Sequence, residues 1–247
     1  GDEAGSNGKI FTNYVNFAVD VQKGEPVLLD DGKIRLEALS SDNKTEVVCR
    51  VINGGILTPR KGLSLPTTNI SLPCITEKDK VDLDFALEEN VDWIGLSFVR
   101  SSKDVEQLQT MIKSRDKHAR VIAKIEKPEA VEDIDEIIEV TDAVMIARGD
   151  LGVEVPMQNV PLIQKDIISK CLSSGKPVIV ATQMMESMIE SATPTRAEVN
   201  DVANAVLDGA DAVMLSAETS VGKHPIIAVQ AMTKIIQSME DGNKKPF

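Results

Sequence analysis

The sequence predicts an α/β protein in which part of a (β/α)8 barrel follows a small all-β unit. Residues 1–66 are rich in turn and strand signals, whereas from about residue 76 short apolar strands alternate five times with amphipathic helices. That alternation is typical of a parallel sheet covered by helices. None of these strands is followed by the glycine-rich fingerprint of a dinucleotide site or of a phosphate-binding loop. This absence favours a barrel over a doubly wound sheet.

The all-β unit is predicted over residues 1–66 from its turns. Residues 26–39 (PVLLDDGKIRLEAL) indicate two strands joined at Asp31-Gly32, which is a strong hairpin signal. Residues 45–66 indicate a strand, a turn at Asn-Gly-Gly and an extended segment. The basic segment TPRKG (58–62) is expected to close over a site as a lid would.

The barrel part is predicted over residues 67–247. Its helices carry end signals: Ser101 caps one, Pro128 opens another and Gly175 ends a third. A closed barrel of this kind needs eight strand–helix units, and five are counted. The strands are predicted in VDWIGLSFVR, RVIAKIEK, DAVMIARGD, PVIVATQ and DAVMLSAET. The helices are predicted in EKDKVDLDFALEEN, SSKDVEQLQTMIKSR, PEAVEDIDEIIEVT, VPLIQKDIISKCLSSG, TRAEVNDVANAVLDG and HPIIAVQAMTKIIQSMED.

Composition narrows the class of protein. With 42% hydrophobic and 27% charged residues, the chain is predicted to be soluble and globular. Neither a leader peptide nor an apolar run long enough for a membrane span is seen. The net charge of −12 argues against a nucleic-acid partner. Cys49, Cys74 and Cys171 form neither a disulfide framework nor a metal spacing, which indicates a reducing cytoplasm. His118 and His224 stand alone, so no zinc site is predicted.

Polar side chains follow the apolar part of every predicted strand. Because residues two apart on a strand face the same side, Lys124 and Glu126 are predicted to share one face. Arg148 and Asp150 are predicted to share a face of the next strand. One charged strand end would indicate a solvated end, but five polar ends on one rim favour an active site, since that rim carries catalysis in barrels. The other polar ends are Ser97, Thr182, Ser216 and Glu218.

These residue types suit phosphate chemistry with a hard metal ion. Glu126 and Asp150 offer carboxylate oxygens, and Mg²⁺ typically takes one or two carboxylates together with waters and substrate oxygens. Lys124 supplies a compact positive charge for a transferring phosphoryl group or a developing enolate. The main-chain amides at Gly149-Asp150 are candidates for binding a small carboxylate or phosphate, and Thr182 adds a hydroxyl group.

Six segments together resemble the pyruvate kinase family, in order and over almost the whole chain. They are NGGILTPRKGLSLP, IGLSFVR, IAKIEK, MIARGDLGVE, ATQMMESM and PTRAEVNDVANAVLDGADAVMLSAET. The resemblance implies transfer of phosphate from phosphoenolpyruvate to ADP, giving pyruvate and ATP in glycolysis. It implies a barrel with an inserted all-β lid domain, Mg²⁺ or Mn²⁺ as cofactor, and a cytoplasmic homotetramer at full length. A potassium ion is implied as well, but its ligands lie outside this sequence.

The resemblance also implies residue roles. Lys124 matches the lysine that contacts the transferring phosphoryl group, and Glu126 and Asp150 match the metal ligands. Thr182 matches a threonine near the substrate carboxylate and enolate, and it is counted with Lys124 as catalytic. Lys61 of the lid matches a lysine on the nucleotide side. The residues implied to border the substrate are Ser97, Phe98, Ala147, Gly149, Asp150 and Thr182.

Several nearby positions have more than one interpretation. Met184, Met185 and Met188 are interpreted as packing residues rather than ligands. Arg148 is expected either to pair with a neighbouring acid or to reach across a subunit contact. Glu218 is expected either to support the site or to place a charge at a helix end.

Two other functions remain open at this stage. One is a non-catalytic binding or structural fragment that keeps the metal site, and the other is a different phosphoenolpyruvate-handling barrel, such as a carbon–carbon lyase. The lid and the ATQMMES segment argue against the lyase. The barrel strands that precede the lid in the family, and its C-terminal domain, are not found in this sequence. Because five parallel strands cannot close a barrel, these 247 residues alone are predicted to lack phosphotransfer activity and to expose apolar edges on their first and last barrel strands.

Overall fold

The computed structural model describes residue 5 and residues 8–242. The chain divides into two compact units, Gly1–Pro73 and Cys74–Phe247, and each is described by itself. The predicted domain boundary, after residue 66, falls shortly before this division. Among the described residues, no helix combines the length and the apolar character that a membrane span requires.

The first unit contains one antiparallel sheet. Its elements are a short helix, α1 (Phe17–Asp20), and the strands β1 (Pro26–Leu29), β2 (Ile34–Ser41), β3 (Val47–Asn53) and β4 (Leu63–Ser64). The strand order is β3-β2-β1-β4. Buried and more exposed residues alternate along β1 and β2, as expected for a sheet with one face on a core. That core consists of Val21, Val27, Leu29, Ile34, Leu36, Ala38 and Leu65.

The predicted hairpin joins β1 to β2. The two strands pair up to Leu29↔Ile34, and the connecting residues Asp30, Asp31 and Gly32 all have positive φ. Such φ values favour glycine and aspartate, which is why this dipeptide is a reliable signal. After β3 the chain runs without regular structure to a turn at residues 59–60, so the turn predicted directly after β3 occurs later.

The second unit is built on a parallel sheet of five strands in chain order. They are β5 (Trp93–Leu96), β6 (Arg120–Ile125), β7 (Ala143–Ala147), β8 (Val178–Ala181) and β9 (Ala212–Met214). Every neighbouring pair is parallel, so the carboxyl ends of all five strands meet at one rim. Each strand corresponds to one that the sequence predicted.

Helices connect the strands. They are α2 (Glu77–Glu88), α3 (Ser102–Lys113), α4 (Pro128–Glu132), α5 (Ile134–Val140), α6 (Arg148–Glu154), α7 (Val160–Ser174), α8 (Arg196–Asp208), α9 (Ala217–Ser220) and α10 (Pro225–Gly242), with 3-10 turns at Met157–Asn159 and Glu186–Ile189. Capping boxes open α2, α3 and α8, and glycines with positive φ end α7 and α8. The helix predicted over residues 128–141 is interrupted at Asp133, whose carboxylate accepts a hydrogen bond from Ser102 N.

All five strands end before the segments predicted for them do, and the difference matters most at β7 and β9. Strand β7 stops at Ala147, and Arg148 is already the first residue of α6, so Arg148 and Asp150 do not share a strand face. Strand β9 stops at Met214, and Glu218 lies in α9. In each case a side chain takes over the backbone N–H after the strand: Gly149 N donates to Thr182 Oγ1, and Ser216 N donates to Glu218 Oε2. These two N–H groups therefore donate to side chains rather than to a neighbouring strand.

The core lies between the sheet and its helices. Along β6, Val121, Ala123 and Ile125 are fully buried, while Ile122 and Lys124 on the opposite face are partly exposed. Helices α3, α5 and α7 cover the buried face with Leu108, Ile137 and Ile167, among others. The face that carries Lys124 is therefore the one that leads to the polar rim.

Candidate active site

The ends of β5 and β6 bring four predicted site residues together. Lys124 Nζ lies 2.7 Å from Glu126 Oε1 and donates a hydrogen bond to Ser97 Oγ at 2.6 Å. The second carboxylate oxygen of Glu126, Oε2, accepts a hydrogen bond from Phe98 N at 2.8 Å. Because Leu96 pairs with Ala123 in the parallel register, the residues that follow both strands emerge side by side.

The charged side chains of Glu126 and Lys124 are largely shielded from solvent. The Glu126 side chain is 3% exposed and that of Lys124 26%. A carboxylate this buried requires compensation, and it has an ammonium on one oxygen and a main-chain amide on the other. Phe98 supplies that amide with a φ of 56°, an outlier for a bulky residue, while its ring is exposed to solvent.

Thr182 and Gly149 form a second contact at the rim. The Gly149 amide donates to Thr182 Oγ1 at 2.6 Å, and this hydroxyl donates to the Ala181 carbonyl at 2.7 Å. Thr182 and Gln183 have φ values of 68° and 55°, a left-handed conformation that a β-branched residue rarely adopts. A Cβ on Gly149 would lie 3.2 Å from the Thr182 hydroxyl. A side chain at position 149 would therefore crowd the Thr182 hydroxyl.

Arg148 pairs with an acid of the same unit, which is one of the two interpretations left open. Its guanidinium makes two hydrogen bonds with the Asp201 carboxylate and one with the Thr182 carbonyl, at 2.7, 2.7 and 2.9 Å. It also contacts Met184 Sδ at 2.8 Å and Gln164 Oε1 at 3.3 Å. Asp201 lies in the middle of α8, where no local motif marks it, and it was therefore not predicted from the sequence.

Asp150 lies in the first turn of α6 and is exposed. One turn later, Glu154 ends the helix and forms an ion pair with Lys127 at 2.7 Å. Burial raises the pKa of the Glu154 carboxyl, the contact with Lys127 lowers it, and the negative charges of Glu129 and Asp150 raise it further, so that the net shift is upward. Asp150 and Glu154 thus lie four positions apart in the same short helix.

Other residues singled out from the sequence near the site are buried. Met184, Met185 and Met188 are fully buried in the core, in agreement with the packing interpretation. Glu218, at the start of α9, is also buried, and its carboxylate accepts hydrogen bonds from Ser216 N and Met185 N. It therefore supports the loop after β8 from within. Ala147, the last residue of β7, is buried under the same rim.

Lys61 lies in the first unit, where its ammonium is 2.8 Å from Asp30 Oδ1. The contact with Asp30 raises the pKa of Lys61, and the same contact lowers the pKa of Asp30. The lysine is thus held by an acid of its own unit in this structure. Lys33 lies farther from the same carboxylate, at 3.7 Å.

The acidic residues of the rim fit Mg²⁺ or Mn²⁺ by the chemistry of their donors. Within residues 8–242, no group of three or more His, Cys, Asp or Glu side chains is arranged to hold a metal ion. Mg²⁺ does not require such a cage, since one or two carboxylates with water and substrate oxygens suffice. Glu126 and Asp150 offer two carboxylates, and each oxygen of a carboxylate has more than one acceptor position. The existing contacts of Glu126 therefore leave it able to bind a metal ion.

A parallel sheet in chain order, covered by helices and carrying its charged residues on the carboxyl rim, defines the second unit as part of a (β/α)-barrel enzyme fold. The chain belongs to the pyruvate kinase family: the family described as "Pyruvate kinase, barrel domain" matches residues 2–229. The family resemblance and the fold class predicted from the sequence are thereby confirmed.

Individual relatives show the same similarity. A pyruvate kinase of Mycobacterium intracellulare is 51% identical over 244 residues, which is 98% of this chain and 51% of that protein. A pyruvate kinase of Geobacillus stearothermophilus is 49% identical over 233 residues, 94% of this chain and 40% of that protein. The crystal structure of a pyruvate kinase from Cryptosporidium parvum has a TM-score of 0.86 at 43% identity, covering 92% of this chain and 48% of that one. The chain thus spans about half the length of these relatives.

Proposed function

We propose that this chain supplies part of the active site of a pyruvate kinase, which transfers the phosphoryl group of phosphoenolpyruvate to ADP and yields pyruvate and ATP in glycolysis. The observation that carries the proposal is the Lys124 ammonium, fixed between Ser97 and the buried Glu126 at the carboxyl rim. Membership of the pyruvate kinase family over nearly the whole chain supports it.

Lys124 is the residue that meets the transferring group in this proposal. Phosphoryl transfer develops charge on the phosphoryl oxygens, and catalysis consists mainly of positioning and electrostatic stabilisation. The two oxygen partners of Lys124 hold its ammonium at one point, so little reorganisation is needed when the substrate binds. As the phosphoryl group leaves, negative charge also develops on the enolate oxygen of the pyruvate product, and the same ammonium is available to it.

Thr182 and the start of α6 border the substrate. The Thr182 hydroxyl is held between the Gly149 amide and the Ala181 carbonyl, and this fixed position supports its proposed role. Ser97 and Phe98 line the β5 side, and Ala147, Gly149 and Asp150 line the β7 side. Lys61 of the first unit serves the nucleotide, for which it must exchange the Asp30 carboxylate for a phosphate oxygen.

Glu126 and Asp150 are the residues that would hold Mg²⁺ or Mn²⁺. Such an ion, when bound, neutralises charge on phosphate oxygens and orients the reactants. A potassium ion is also part of the proposal, although its ligands are not in this sequence. By analogy with the family, the complete protein is proposed to be a cytoplasmic homotetramer, and the net charge of −12 does not favour a nucleic-acid partner.

A substrate assay of the complete protein tests the proposal. With Mg²⁺, K⁺, phosphoenolpyruvate and ADP, we expect equal amounts of pyruvate and ATP, and we expect no pyruvate when ADP is omitted. Consumption of phosphoenolpyruvate without ADP, with formation or cleavage of a carbon–carbon bond, would favour the lyase alternative. Metal binding without any turnover would favour the non-catalytic alternative. Neither alternative is favoured by the named relatives.

A further inference from the structure

Lys127 and Glu154 form an ion pair to which the proposed mechanism gives no role. The two side chains are only 9% and 6% exposed, and lysine and glutamate are seldom this buried unless they are paired. Glu154 Oε2 is buried and has no hydrogen-bond partner. Because a buried ion pair that is only partly satisfied is weak evidence for added stability, the pair calls for another explanation.

The pair connects the two elements that carry the candidate metal ligands. Lys127 directly follows Glu126 at the end of β6 and is the N-cap residue of α4. Glu154 is the last residue of α6, one helical turn after Asp150. The ion pair therefore spans the gap between β6 and α6, which is the gap that Glu126 and Asp150 must bridge to bind one metal ion together.

The position of helix α6 is set by contacts near its two ends, which at its first turn include the hydrogen bond from Gly149 N to Thr182. It is seven residues long, and Leu151 is its one fully buried residue. A helix this short does not persist through its own hydrogen bonds, so tertiary contacts determine where it lies. Arg148 holds its first turn through Asp201, and Glu154 holds its last turn through Lys127. Asp150 lies between these two ion pairs.

We propose that Lys127 and Glu154 are positioning residues that set the separation of Glu126 and Asp150 and, through it, the affinity of the site for a divalent metal ion. This inference rests on the proposed function. Neither residue is assigned a contact with substrate, since both act through the elements that carry the ligands. Replacing groups that orient metal ligands typically changes metal affinity by about 10- to 100-fold, and an effect in that range is expected here.

A Mn²⁺ titration of the complete protein tests the inference. The free ion is measured by electron paramagnetic resonance, and no substrate is present. Glu154→Gln and Lys127→Met are expected to raise the Kd for Mn²⁺ at least about tenfold. Lys127→Arg, which keeps the positive charge, is expected to raise it less. Lys170→Met serves as the matched control, since it removes an exposed ion pair between α7 and α5, and it should keep the wild-type Kd.

A double variant separates weaker metal binding from loss of the folded state. Lys127→Met/Glu154→Leu replaces the ion pair with apolar side chains, an exchange that is often neutral for stability, and a urea denaturation curve confirms that it folds. The inference predicts weak Mn²⁺ binding by this folded protein. A wild-type Kd in the double variant overturns the inference, and so does an equal rise of the Kd in Lys170→Met.

Glu126→Gln separates failure of this inference from failure of the proposed function. If this variant binds Mn²⁺ as the wild type does, then Glu126 is not a ligand, and the proposed metal site and the inference are both overturned. If Glu126→Gln weakens binding but the ion-pair variants do not, the metal site stands and only the positioning role is overturned.

Discussion

Arg148 and Asp201 form a two-point ion pair between α6 and α8, with Nη1 2.7 Å from Oδ1 and Nη2 2.7 Å from Oδ2. The same Nη2 group donates to the Thr182 carbonyl. Thr182 adopts a left-handed conformation that a β-branched residue keeps only where its surroundings impose it. One guanidinium therefore holds both the start of α6 and the strained residue that follows β8.

Asp201→Asn is expected to weaken the hold of Arg148 on the start of α6 and on Thr182. The variant keeps the shape of the side chain but removes the charge that fixes the guanidinium. We expect the free energy of unfolding to fall by about 1.5–3 kcal/mol, the range for a hydrogen bond to a charged group. Turnover should fall by roughly tenfold or more, because small displacements at a reacting centre are costly. Urea denaturation and steady-state kinetics of the complete protein measure the two effects.

Lys165→Met is the control for this prediction. It removes an ion pair with Asp208, in which the lysine is half exposed, from the neighbouring surface of α7 and α8, and such pairs contribute at most about 1 kcal/mol. Turnover should stay at the wild-type level. Equal effects of Asp201→Asn and Lys165→Met would show that the Arg148 pair has no special role.

Gly149→Ala is expected to disturb Thr182. The added Cβ would lie 3.2 Å from the Thr182 hydroxyl and 3.4 Å from its Cβ, so the threonine must move. We expect a loss of stability of about 1–3 kcal/mol, as for other overpacked sites, and a fall in turnover of at least roughly tenfold. Thermal unfolding and kinetics of the variant measure both.

Gly152→Ala, in the same helix, provides the matched comparison. Its new Cβ would lie 3.7 Å from the nearest side-chain atom, which is ordinary contact. Because alanine is a better helix former than glycine, stability should stay the same or rise by about 0.5–1 kcal/mol. A larger loss of activity in Gly152→Ala than in Gly149→Ala would contradict the proposed contact.

Lys124→Met is expected to remove catalysis and part of the stability together. Loss of a preorganised charge should lower turnover by roughly 10²-fold or more. It also leaves Glu126 buried without its counter-charge, which should cost up to about 3 kcal/mol of unfolding free energy, the lower end for a buried pair because Lys124 is partly exposed. The double variant Lys124→Met/Glu126→Gln should recover stability in urea denaturation but not turnover. Recovery of turnover in the double variant would refute the catalytic role of Lys124.

Glu198→Gln is expected to change how stability depends on pH. Burial raises the pKa of the Glu198 carboxyl, but hydrogen bonds from Ser187 and Thr195 lower it more, so the folded pKa is below its usual value. A carboxyl with a depressed pKa adds stability above its unfolded pKa, near 4.3, and this contribution is lost as the pH falls through the folded pKa. The difference in unfolding free energy between wild type and variant should therefore be largest above about pH 5 and shrink below about pH 4. A difference that does not vary over this range would contradict the assignment.

Much of the second unit follows from local sequence signals. The segment RVIAKI predicts β6, because its short, largely apolar run and its β-branched residues are typical of a buried strand. Ser101 marks the start of α3 through a capping box that forms entirely within a few residues. The ends of β7 and β9 were placed too late, because the polar residues that follow an apolar run do not show where its sheet pairing stops. After these strands, backbone N–H groups donate to the side chains of Thr182 and Glu218.

The candidate site was predictable only in part. Strand periodicity and the parallel arrangement were enough to place Lys124, Glu126 and Ser97 together at one rim. The ion pairs of Lys127 and Asp201 could not be predicted from neighbouring residues, since a lysine at a strand end and an aspartate within a helix are usually solvated. Their partners, Glu154 and Arg148, lie 27 and 53 positions away in the chain.

The sequence by itself determined the family, the order of strands and helices, and which residue types reach the carboxyl rim, because these depend on residues close together in the chain. Only the tertiary structure decided which charges meet. The pairing of Arg148 with Asp201 and of Lys127 with Glu154 depends on how α6 lies between β6 and α8. That position is set by packing and by ion pairs between separate elements, whose energies depend on distances that no local pattern of residues specifies.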